Sequence, residues 1–203
     1  MINALITALA NWLGRHQRPA SEVQRLIPLA LKTTETPSLP EAIARIAEAE
    51  AKANVREQGG NNRGPTVQRY QAATWLAGTG WAWCAAFVCW AVFQALQLTG
   101  IALKNRPRTA GAWDFENYAT GGYGPTPFKL MPRGTRPQRG DIVTFTWSHI
   151  GICTGANDRQ THTIEGNTGP GTNLRDANTP GGDGVWEKTH PHNKIRRVIR
   201  YVG

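Results

Sequence analysis

The sequence predicts an α+β fold, one antiparallel sheet with helices packed on one side. Three observations predict it. Segments with helix-start signals fill the first half of the 203 residues, short β-rich runs between Gly, Asn and Asp turns take over from about residue 138, and no internal repeat breaks that order. Eight tryptophans, twenty-two glycines and 40% apolar residues describe a globular, loop-rich chain with enough material for one full core.

The elements follow in order. Leu5, Leu9, Trp12 and Leu13 fall on one face of a short first helix, and Ser21 with Gln24 is spaced as a capping box opening a second. These make residues 1–37 an N-terminal helical segment. The stretch "TTETPSLP" marks the boundary to a second unit, 38–203. Ser38 and Glu41 are spaced as another capping box, opening an Ala/Glu-rich helix over about 39–55 that "GGNNRGP" breaks. Pro65 suits the first turn of a helix over 65–77, and "AGTG" ends it.

The run "GWAWCAAFVCWAV" then enters a helix reaching about Leu98. Gln94 and Gln97 stop its apolar stretch well short of the roughly 20 residues of a membrane span, so the helix is expected to be buried. The strands are "GDIVTFTW", "HIGICTG", "QTHTIEGN" and "KIRRVIRYVG", the last with Arg196 and Arg200 facing outward.

Net charge is +9 and unevenly spread. Residues 1–57 hold seven Lys/Arg against six Asp/Glu, and 58–203 hold sixteen against eight. A surface of that kind is drawn to polyanions. No RNP-like aromatic string, helix-turn-helix spacing or zinc finger points to nucleic acid. Three cysteines without a CxxC pair suggest neither a disulfide framework nor a zinc knuckle. No positive charge precedes the apolar part of the N-terminus, as a signal peptide would require, and synthesis in a reducing cytosol is expected.

Cys84 sits where "GTGWAW" turns into a helix, near the unsatisfied N–H groups and positive dipole end that favour a thiolate. Cys89 is one turn further in and Cys153 lies mid-strand, so both read as core filler. On position alone Cys84 is either a nucleophile or another filler. A hairpin between "SHIGICTG" and "RQTHTIEGN" with its turn centred on Asn157 sets His149 directly opposite Glu165, with Asn167 diagonal to His149 on the same face. An imidazole with a carboxylate across a strand pair is either a solvated pair or the arrangement that orients a catalytic histidine.

"GWAWCAAFV", "RGDIVTF", "SHIGICTG" and "TIEGNT", in this order, resemble the CHAP domains, the cysteine- and histidine-dependent amidohydrolase/peptidases of the papain-like superfamily. "GNNRGPTVQRY" and "AGAWDFENY" are similar to stretches many members carry. The likeness covers about residues 40–203 and leaves 1–37 outside. It implies cleavage of an amide bond in peptidoglycan, with Cys84 as nucleophile, His149 as acid and base, Glu165 orienting the imidazole and Asn167 as an auxiliary polar group. The Cys84 N–H is then a candidate oxyanion donor, and Trp81 and Trp83 would either line the cleft or serve a purely structural role.

Some members bind calcium through acidic residues just before the cysteine. "QAATWLAGTGWAW" holds none, so neither metal nor cofactor is expected. The setting implied is a phage endolysin, monomeric, made in the host cytoplasm and acting on peptidoglycan and the anionic envelope after release, without nucleic acid or stable membrane insertion. A toxin effector with the same chemistry, and a non-enzymatic wall-binding module, are the alternatives. A zinc amidase using His162, His190 and His192 is a weaker rival: "HPHN" reads as a loop-like tail and no HExxH is present.

Overall fold

A computed structural model describes residues 36–170 and 183–203. The two helices expected before residue 36 lie outside the described residues. Among the described residues four helices, α1 (Leu39–Lys52), α2 (Pro65–Gln71), α3 (Cys84–Thr99) and α4 (Asp114–Ala119), precede six strands. These are β1 (Phe128–Leu130), β2 (Ile142–Phe145), β3 (Ile150–Ala156), β4 (Gln160–Thr168), β5 (Gly184–Pro191) and β6 (Ile195–Tyr201). They form one sheet in the order β1-β6-β2-β3-β4-β5, with every neighbouring pair antiparallel. The fold is α+β, as expected.

α3 is apolar on all sides, and its residues Cys84 to Val92 are all buried, as a helix without a polar face requires. Gly100, left-handed at φ +70°, ends it. Tyr70 of α2 packs against Trp83, Phe87 and Trp90, with ring centroids 5.4, 5.4 and 5.0 Å away. Among the described residues no helix is long and apolar enough to cross a membrane.

Three local expectations are corrected. Ser38 makes no side-chain cap. Glu41 is drawn instead to Arg45 and to Arg139, which also binds Glu48 at 2.6 Å and so ties α1 to the start of β2. α2 ends at Gln71, six residues early, because the Thr74 hydroxyl donates to the Gln71 carbonyl and the Trp75 N–H pairs with the Arg108 carbonyl. The histidine tail is not a loop: His190 lies in β5, and His192–Lys194 form a 3-10 turn.

The β3–β4 register also differs. Asn157 opens the turn and does not centre it, since its Oδ1 accepts the N–H groups of Arg159 and Gln160, both at 2.9 Å. An irregularity between Cys153 and Gly155 follows, after which Cys153 pairs with Thr163 and Ile152 with Ile164. The pairing is two residues from the one expected. An even shift leaves each side chain on its own face.

Candidate active site

Cys84 is the first residue of α3, with Trp83 at the N-cap. The first-turn N–H groups of a helix have no partner within it. The loop before Cys84 is clamped from three directions. Gln71, buried in α2, donates to the Trp81 carbonyl at 2.8 Å and the Asn62 carbonyl at 3.3 Å. The Trp83 indole donates to Glu57 at 2.8 Å. The Trp83 backbone N–H donates to Asn167 Oδ1 at 2.7 Å.

His149, immediately before β3, and Glu165, within β4, are both almost wholly buried, and His149 Nε2 lies 3.0 Å from Glu165 Oε2. The approach is off the line of an aligned N–H bond, so the contact is a charge pair. Gly151 makes room for it: a Cβ there would fall 2.7 Å from Glu165 Cγ. Thr163 Oγ1 donates to Glu165 Oε1 at 2.5 Å, and His190 Nε2 lies 2.7 Å from the same oxygen. Glu165 therefore holds a different histidine with each oxygen.

Charges shift accordingly. Burial alone would lower the His149 pKa, but the Cys84 sulfur and then the Glu165 carboxylate outweigh it and raise it to about 10. Burial alone would raise that of Glu165, but His149 and then His190 bring it down to about 2. An ionised carboxylate only accepts, so Nε2 of both histidines carries the proton. That leaves His149 Nδ1 as the nitrogen for Cys84.

Asn167 adopts φ +58°, left-handed backbone, at an irregularity between Gly166 and Thr168. Asparagine tolerates that conformation better than most residues. Besides holding Trp83, its Nδ2 donates to Asn62 Oδ1 and Asp183 Oδ2, both at 3.1 Å. Its contacts thus serve the Cys84 side of the site. Asp183 is buried, and its pKa is pushed up to about 6 by that burial and then by Glu57.

Trp83 is fully buried. That corrects its expected place on a cleft wall: its ring fills the core against Tyr70 and its indole N–H is spent on Glu57. Trp81 is half-buried and remains available to line a cleft. Cys89 donates to the Thr109 carbonyl at 3.3 Å, and burial pushes its thiol far up. Burial pushes the Cys153 thiol up to about 12. The three other histidines among the described residues diverge. His162 pairs with Thr189 and His190 with Thr161, so they project from opposite faces of the β4–β5 pair, and His192 holds the Asn157 carbonyl.

The sequence reading gave no role to Thr163, Asn62, Gln71 and Asp183, and named His190 only as a ligand of the zinc rival. Thr163 and Asn62 lie within the quoted stretches "TIEGNT" and "GNNRGPTVQRY", and His190 left the period-two spacing of Trp186, Lys188 and His190 in "VWEKTHP".

Residues 76–167 match the family model of the CHAP domain. This part of the chain is a CHAP domain. The matched span holds Cys84, His149, Glu165 and Asn167, and His190 lies beyond it. CHAP domains are hydrolases associated with peptidoglycan amidase and peptidase activity, so the chain carries a hydrolase domain. No curated protein and no solved structure matches it.

Proposed function

We propose that the chain is a thiol-dependent peptidoglycan hydrolase that cleaves an amide bond, a muramoyl-L-alanine or peptide linkage, by a Cys84/His149/Glu165 mechanism on a papain-like fold. The observation behind this reading is the buried chain of contacts from Cys84 through His149 to Glu165 at the start of a helix.

The Cys84 thiolate attacks the amide carbonyl carbon. The oxygen takes up the negative charge, held by the Cys84 N–H among the free first-turn donors. His149 gives its Nδ1 proton to the nitrogen as the C–N bond breaks, releasing the amine and leaving a thioester. Water then attacks the thioester carbon, His149 takes the water's proton, and the thiolate departs with the acid as second product. Glu165 keeps the imidazole in one orientation and stabilises its charged form, as the carboxylate does in a serine triad.

The net charge of +9 suits an anionic wall as target, and a phage endolysin acting on its host's wall after release is the setting we assign. The test is digestion of purified peptidoglycan with mass spectrometry of the fragments. New amine and carboxyl ends from the native protein and none from Cys84→Ala are expected. Fragments from Cys84→Ala, or cleavage of glycosidic bonds only, would overturn the reading.

A further inference from the structure

We propose that His190 is a positioning residue for the hydrolysis, acting on His149 through Glu165. This rests on the thiol mechanism above and adds a residue that lies outside the matched span.

The geometry argues as follows. A free glutamate side chain rotates, and either oxygen can face a partner. Here Oε1 is occupied twice, by the Thr163 hydroxyl at 2.5 Å and by His190 at 2.7 Å, and both groups are buried. Only Oε2 is left to His149. His190 is itself fixed: its ring packs 4.6 Å from Phe145 and 5.5 Å from Trp147, and Phe145 stacks on His149 at 5.7 Å. Phe145 thus packs against both imidazoles, and the carboxylate is pinned between them.

Because the His149–Glu165 contact is not itself an aligned bond, it has little directionality of its own. The orientation of the carboxylate must come from its other oxygen. Without the His190 N–H, Glu165 keeps one neutral donor and gains freedom to turn away, so the His149 imidazolium that faces Cys84 becomes less populated.

Two substitutions separate this from ring packing. His190→Phe keeps a ring against Phe145 and Trp147 but has no N–H, whereas His190→Gln loses the ring and carries an amide nitrogen near the place of Nε2. Turnover of purified peptidoglycan should show kcat about tenfold lower for the Phe variant, with KM unchanged and most of the loss recovered in the Gln variant. Iodoacetamide labelling of Cys84 at neutral pH, which needs no substrate, should slow by a similar factor in the Phe variant alone. Any other order, with Phe as active as the native protein or Gln no better than Phe, overturns the proposal in favour of packing. If His190→Phe does not fold by thermal unfolding, Thr163→Val removes the other bond to the same oxygen and must show the same kcat loss. Activity in Cys84→Ala would sink the thiol reading itself. An inactive Cys84→Ala with the wrong His190 order would remove only the role of His190.

Discussion

Asn167 holds the backbone N–H of Trp83 at 2.7 Å, one residue before Cys84. The contact joins the end of β4 to the start of α3, so the strand carrying Glu165 also sets the position of the sulfur. Asn167→Gly keeps the left-handed backbone accessible and deletes the bond. Activity should fall by up to about a hundredfold, the scale of a small misplacement of reacting groups, with little change in melting temperature. Asn167→Val adds backbone strain of roughly 1–3 kcal/mol, which thermal unfolding should register. Full activity in the Gly variant would show that the bond does not place Cys84.

The three thiols should separate cleanly. Cys84→Ser should lose activity by orders of magnitude with the fold retained. Cys89→Ser keeps a donor for the Thr109 carbonyl, and Cys153→Ser changes a thiol that burial has made a poor acid, so both should retain most of it. Peptide mapping after brief iodoacetamide treatment should find the label on Cys84. Label on Cys89 with loss of activity would reverse the assignment.

Stability should depend on pH in two windows. The His149 pKa is raised from 6.5 to about 10, so its contribution is complete below 6.5 and is lost as pH climbs toward 10. That of Glu165 is lowered from 4.5 to about 2, so its contribution is present above 4.5 and is lost as pH falls toward 2. Melting temperatures measured from pH 6.5 to 10 should drop less in Cys84→Ala than in the native protein, because the alanine removes the main cause of the His149 shift. Equal alkaline slopes would detach Cys84 from His149.

Binding to anionic walls should weaken with salt. The screening length shrinks from about 10 Å at 0.1 M to about 3 Å at 1 M, so the fraction that pellets with purified walls should fall several-fold across that range. A flat profile would leave the net charge of +9 without a part in wall recognition.

The proximity of His149 and Glu165 was legible despite a wrong pairing. The turn was misplaced because Asn157 caps it with its own side chain and because one irregularity follows Cys153. The two effects sum to an even shift, which preserves the face, and the length of the two side chains closes the rest. A shift of one residue would have hidden the contact.

His190 was illegible for another reason: Pro191 and His192 make its neighbourhood look like a loop, and the strand ends only at Pro191. Trp83 was misread because the sequence shows which residue adjoins Cys84 but not which way its ring turns. That is decided by Tyr70 and Glu57, residues distant in the chain.

β6 lies between β1 and β2, although β3, β4 and β5 separate it from both in the chain. Before β6 is made, β2 to β5 can already pair in their final order, but β1 has no neighbour in the sheet, so the sheet stays in two pieces. Assembly of this kind is dominated by distant pairings and proceeds slowly. A nascent or prematurely ended chain thus already contains Cys84, His149 and Glu165 but lacks the strand that joins the two pieces. Joining β1 to the rest of the sheet is therefore a late step, taken after every residue of the candidate site has been made.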